Sequence, residues 1–143
     1  MAETLKLLAV LPHPDDESLG LGGALVRYAA AGIETYLVCA TRGQRGWNGA
    51  EEENPGLAAL GRIREAELRC AASQLGLHEF HLLDYMDGDI DQANPQEIIT
   101  IIAAHLHSLV AIYKRGAAGG GRCQFPCAAP SAGTHSFKVL LCG

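Results

Sequence analysis

Apolar positions along this chain fall into short unbroken runs separated by helical stripes. Residues 5–11 are apolar except for Lys6 and stop at Pro12. Residues 35–40, reading TYLVCA, form a second run, and residues 79–83, reading EFHLL, a short third strand. Short runs without alternation suit strands buried on both faces of a parallel sheet. Between them the period changes. Leu21, Ala24, Leu25 and Tyr28 line one face of a helix that Ser18 or Asp16 can cap and Gly32 can end. Leu60, Ile63, Ala66, Leu68, Ala71 and Leu75 recur at helical spacing before Gly76. Pro95 suits the first turn of a third helix, which runs to about residue 109.

Strand and helix thus alternate, which predicts an α/β fold: a Rossmann-like three-layer sandwich with a mostly parallel sheet. Ligands of such sheets bind beyond the carboxyl ends of the strands. Three polar loops leave strands at that edge, over residues 12–17, 41–56 and 84–94. From residue 110 the pattern lapses. The glycines after Arg115 should end the helix, and only residues 138–142, KVLLC, could add a strand. The chain therefore divides into an α/β core, residues 1–109, and an atypical tail, residues 110–143. The tail reads either as a disordered terminus or as a frame-shifted or truncated continuation of the core.

With 48% hydrophobic and 19% charged residues, 143 residues suit one globular domain. A net charge of −5 argues against a nucleic-acid binder, which would carry a basic stripe. No apolar run is long enough to span a bilayer, and Met1-Ala2-Glu3-Thr4 lacks the basic start of a secretory signal. A cytoplasmic protein is the expectation, with homo-oligomerisation left open. Five cysteines do not form a secreted disulfide pattern. Cys39 and Cys70 fall in apolar segments and read as buried thiols.

The chemistry concentrates in His13-Pro14-Asp15-Asp16-Glu17, directly after the first strand. An imidazole and a carboxylate three residues apart in a loop, His13 and Asp16, can face one divalent metal and leave room for water. Asp15 would then stand beside that water as a general base. A plainer reading stays open: carboxylates favour helix amino termini, and this acidic turn precedes a helix. Gly20, Gly22 and Gly23 do not have the spacing of a dinucleotide fingerprint, and the preceding acids would repel a pyrophosphate.

The segment from Leu11 to Glu17 resembles the HPDDE signature of the PIG-L/LmbE-like zinc-dependent N-acetylglucosaminyl deacetylases, with Pro12 where the family often has a small residue. Thr41-Arg42-Gly43 resembles that family's TRG after the second strand. Arg64 and Glu67, followed by Ala71-Ala72 and Leu75-Gly76, resemble its R-x-x-E…AA…LG helix. Leu83-Asp84-Tyr85-Met86-Asp87-Gly88 resembles its loop ending in Asp-Gly. The resemblance covers residues 5–109. It implies a metal-dependent hydrolase that removes an acetyl group from an N-acetylglucosamine-containing substrate. His13 and Asp16 match zinc ligands, Asp15 the catalytic base, and Arg64 and Asp87 positions associated with substrate binding or support of the site. The implied cofactor is Zn2+, and the implied partner is a small-molecule amino-sugar conjugate such as a glucosaminyl-inositol or glucosaminyl-malate. Glu17 looks like a structural carboxylate holding the loop, and Arg42 reads as shaping its loop, with substrate contact as the alternative. One departure stands out. The family's later His-Pro-Asp-His-like segment, which completes the metal site, is absent; only His135, or Cys123 and Cys127, stand as substitutes. The alternative implied by that gap is a catalytically impaired member that binds metal or sugar.

Overall fold

The structure, a computed structural model, describes residues 5–116 and 137–141, with side chains described within residues 5–108. Four parallel strands form one sheet in the order β3-β2-β1-β4. They are β1 (Lys6–Leu11), β2 (Glu34–Thr41), β3 (Glu79–Tyr85) and β4 (Phe137–Leu141). The three strands read from the apolar runs are all present, each extended by a residue or two of polar edge or trimmed at its start. Between β2 and β3 the register shifts: Cys39 pairs with Leu82, but Thr41 pairs with Tyr85. β3 thus carries one extra residue at its carboxyl end, a bulge of the kind that re-aims side chains beside sites.

The helices are α1 (Asp16–Leu19), α2 (Gly22–Ala30), α3 (Leu57–Leu75) and α4 (Pro95–Gly116). The single helix expected after the first strand is therefore broken at Gly20 and Leu21. Neither Asp16 nor Ser18 caps it. The Asp16 carboxylate accepts from the His13 backbone N–H, and the Ser18 hydroxyl donates to Glu17. α3 has the expected bounds, and Gly76 closes it in the left-handed conformation, at φ 70°. α4 continues past residue 109 to Gly116, where the glycine run begins.

Alternate residues of the central strands face opposite layers. Ala9, Leu11, Leu37 and Cys39 pack with Leu68 of α3 and with Leu21. Leu8, Tyr36 and Val38 pack on the other side with Leu106 of α4. Helices on both faces make the three layers. The buried stripe of α3 differs from the one expected. Leu60, Gly61, Leu68 and Ala72 are buried, whereas Ile63 is 47% exposed. Successive fours, 60, 64, 68 and 72, set the inner face. That spacing puts Arg64 on the face turned toward the sheet. Cys70, expected to be buried, lies outside this stripe and is exposed; Cys39 is buried as expected.

Lys6, the one charge in β1, is buried without breaking the strand. Its Nζ lies 2.8 Å from Glu34 Oε2 and 3.3 Å from Tyr36 Oη. Burial opposes the charged form of Lys6, but the bonds from Glu34 and Tyr36 outweigh it and hold its pKa above the ordinary value.

Candidate active site

The parallel order brings the carboxyl ends of β1, β2 and β3 to one edge, and the loops leaving them meet there. The β1 loop is held by a buried carboxylate. Glu17, 1% exposed, accepts from the Asp15 backbone N–H at 2.9 Å and from the Ser18 hydroxyl at 2.7 Å. Those bonds fix Asp15 at φ 109°, the one non-glycine residue with positive φ among the described residues. A bent, strained backbone of this kind costs about 1–3 kcal/mol and persists only where its surroundings enforce it. Here it turns adjacent carboxylates apart: Asp16 toward His13, Asp15 toward α3.

His13 sits between two acids. Its Nε2 lies 3.1 Å from Asp87 Oδ1, and its Nδ1 lies 3.5 Å from Asp16 Oδ2. The first distance suits an N–H donating to a carboxylate, which leaves the Nδ1 lone pair directed to the Asp16 side. The second suits two ligands of one ion. With bonds of about 2.1 Å to zinc and tetrahedral angles, two ligand atoms stand roughly 3.4 Å apart. His13 and Asp16 thus fit two positions of a zinc site. Among the described residues no group of three His, Cys, Asp or Glu side chains is placed to hold a metal ion. The candidates for a third donor, His135, Cys123 and Cys127, lie outside the described residues. His78 packs on Tyr36 and His81 on His105, so neither joins His13.

Asp15, the candidate base, is held from α3: Arg64 Nη2 donates to Asp15 Oδ2 at 3.1 Å. Arg64 in turn lies in a cradle of the β2 loop. A Cβ at Gly43 would sit 2.7 Å from its Nη1, and one at Gly46 2.8 Å from the same atom. Gly43 also has φ 62°, which a side chain would strain. Asp87, largely buried, is fixed on its far side. Its Oδ2 accepts from the Arg45 backbone N–H at 3.1 Å, and its own N–H donates to Gln44 Oε1 at 3.3 Å. The structure therefore places His13, Asp15, Asp16, Arg64 and Asp87 together, with Asp87 holding the imidazole and Arg64 holding the Asp15 carboxylate. Glu67 is exposed and stays outside the group.

Ion pairs close the rim. Arg42 reaches Glu65 of α3 at 3.0 Å and Asp84 at 2.6 Å, so it shapes the loop, as its match implies. Arg45 grips Asp89 through both terminal nitrogens, at 2.8 and 3.1 Å. The sequence reading passed over Gln44, Arg45, Glu65 and Asp89; the signal available was the glycine spacing 43, 46, 49 in a long polar loop. A cavity of about 360 Å3 lies elsewhere, under α4, lined by Leu8, Tyr36, Val38, His81 and His105. It shares no residue with the His13 group.

Known proteins match this chain over the same region. The family described as PIG-L, GlcNAc-PI de-N-acetylase, matches residues 8–119. A probable N-acetyl-alpha-D-glucosaminyl L-malate deacetylase 2 of Bacillus anthracis is 33% identical over 99 residues, covering 67% of this chain and 42% of that protein. A 1D-myo-inositol 2-acetamido-2-deoxy-alpha-D-glucopyranoside deacetylase of Mycobacterium avium is 42% identical over 85 residues, covering 55% of this chain and 28% of that protein. The solved structure of N,N'-diacetylchitobiose deacetylase from Pyrococcus horikoshii, complexed with its inhibitor MPG, superposes with a TM-score of 0.53 at 34% identity. It covers 57% of this chain and 30% of that one. The matched region thus spans less than half the length of each of these three relatives. No helix among the described residues is long and apolar enough to cross a membrane. A family match over most of the chain, an α/β fold shared with a deacetylase and an HPDDE loop at the sheet edge agree: this chain belongs to the PIG-L, GlcNAc-PI de-N-acetylase, family.

Proposed function

We propose that the loop edge of the sheet is a metal-dependent deacetylase centre that hydrolyses the acetamide of an N-acetylglucosamine conjugate. The observation that carries the reading is the His13 imidazole set between Asp16 and Asp87 while Arg64 holds Asp15 beside it. His13 and Asp16 would hold the ion. Zinc bound there would lower the pKa of water and polarise the acetyl carbonyl. Asp87 keeps the imidazole in the tautomer that offers Nδ1. Asp15 takes a proton from the attacking water as a carbon–oxygen bond forms at the carbonyl, then gives that proton to the departing nitrogen as the carbon–nitrogen bond breaks, so that acetate and the free amine leave. Arg64 keeps the Asp15 carboxylate aimed and compensates its charge. The names of the relatives support an amino sugar carrying a second ring or a malate as substrate. The expected setting is cytoplasmic.

The absence of a third donor among the described residues favours a second reading, in which the chain binds an amino sugar without turning it over. Measuring bound zinc and released acetate on the purified full chain separates the two. About one zinc per chain, with acetate released from N,N'-diacetylchitobiose and lost in Asp15→Asn, is the expected result. Zinc-loaded protein that binds the sugar but frees no acetate would establish the second reading. Protein that takes up no zinc and binds no sugar would remove both.

A further inference from the structure

We infer that Trp47 is a stacking platform for the ring attached to the acetylated sugar, and so a specificity-determining residue of this site. The inference rests on the proposed amino-sugar chemistry. Trp47 follows Gly46, whose Cα packs against the guanidinium of Arg64, the residue that holds Asp15. Consecutive Cα atoms are about 3.8 Å apart, so the indole is anchored one residue beyond the cradle of the base. Two residues earlier, the Arg45 backbone N–H binds Asp87, the partner of His13. The loop is therefore tied to both halves of the site immediately before it presents the indole.

The ring itself is fixed. Its Nε1–H donates to the Ala50 carbonyl at 3.0 Å, and one face of its six-membered ring lies against Gly49, where a Cβ would come within 2.5 Å of Cζ2. Only glycine leaves room for the ring there. The indole is neither buried in a core nor loose: it remains partly exposed while its one polar atom is already satisfied. What it still offers a ligand is the opposite face, apolar and electron-rich. The C–H face of a pyranose or cyclitol ring is apolar and carries the complementary positive edge. Pre-fixing the aromatic also lowers the ordering cost of binding. Nothing in the core needs this residue, since the clusters on both sheet faces are complete without it.

Trp47 is the single tryptophan of the chain, so intrinsic emission reports this ring alone. Titration of the full chain with N,N'-diacetylchitobiose should change that emission saturably, with a midpoint equal to the Kd from calorimetry. Trp47→Ala should weaken the calorimetric Kd for the disaccharide by roughly tenfold, the order expected for one lost aromatic contact, and leave that for N-acetylglucosamine within about twofold. Trp47→Phe should recover most of the loss, which a purely structural role of the indole N–H would not allow. Calorimetric binding that is equal in wild type and Trp47→Ala, with silent emission, would overturn the assignment and leave the deacetylase reading intact. No heat with either sugar would overturn both.

Discussion

Removing the Glu17 carboxylate tests whether one buried acid holds the whole acidic turn after β1. Glu17→Ala deletes two bonds to a charged acceptor, from Asp15 N–H at 2.9 Å and Ser18 Oγ at 2.7 Å. Such bonds contribute about 1.5–3 kcal/mol each, and the Asp15 N–H is left without its partner at a backbone angle of φ 109°. Against this stands the cost of burying a charge, which alanine relieves. The balance predicts a loss of about 3–4 kcal/mol, a large part of the 5–15 kcal/mol typical of a domain. Glu17→Gln should behave differently. Its carbonyl can keep the Asp15 bond, and its amide can donate to a Ser18 hydroxyl that reverses its role, so about 1 kcal/mol is expected. Urea unfolding of the two variants and the parent, with m-values compared, measures the difference. Should Glu17→Ala fail to fold, Ser18→Ala, which deletes one of the two bonds, should cost about 1–2 kcal/mol. A Glu17→Ala variant within about 1 kcal/mol of the parent, or a Gln variant as damaged as the Ala one, would refute the reasoning.

Gly43→Ala should cost about 1–2 kcal/mol for its left-handed backbone and displace Arg64 from Asp15, read as lower urea stability; an unchanged midpoint contradicts it. Asp87→Asn keeps one acceptor where the carboxylate serves both His13 and Arg45 N–H, so zinc affinity measured by chelator competition should fall about 10- to 100-fold. The Lys6 bond, opposed by burial, lowers the Glu34 pKa from 4.5, so its contribution is present above that value and is lost as pH falls through the folded pKa. Glu34→Gln should therefore be less stable at neutral pH and show a flatter acid limb below pH 4.5; parallel curves would argue against the pair. Burial pushes the Cys39 thiol up to about 12, so iodoacetamide at mild alkaline pH should label exposed Cys70 and spare Cys39, as peptide mapping would show.

What could be read from the residues follows the kind of force involved. β1 and β2 were legible because burial on both faces demands unbroken apolar runs, whereas β3, a half-exposed edge strand carrying Glu79 and His81, gave a weaker signal. α3 was legible in extent because Gly76 marks its end. Its inner face was misread: counting Ile63 and Ala66 as core followed hydrophobicity, whereas the packing follows 60, 64, 68 and 72 and takes Arg64 inward. The break between α1 and α2 falls at Gly20 and Leu21, where Gly20, Gly22 and Gly23 weaken the helix, against the apolar stripe that suggested one continuous helix. His13, Asp15 and Asp16 were legible as a local motif. Their partners were not, because Arg64 meets Asp15 across 49 positions and Arg45 meets Asp87 across 42. Contacts of that range come from the parallel topology, which stacks loops that the chain visits far apart.

The charged rim formed by Arg42, Arg45, Glu65, Asp84 and Asp89 gives this protein two responses to its solvent. The sheet is held by apolar burial, which added salt does not weaken. The rim is held by partly exposed ion pairs, whose reach shrinks as the Debye length falls from about 8 Å at physiological ionic strength to about 3 Å in molar salt. Brine would therefore slacken the entrance while the folded interior stays intact, and a protein that stops working in concentrated electrolyte need not have melted.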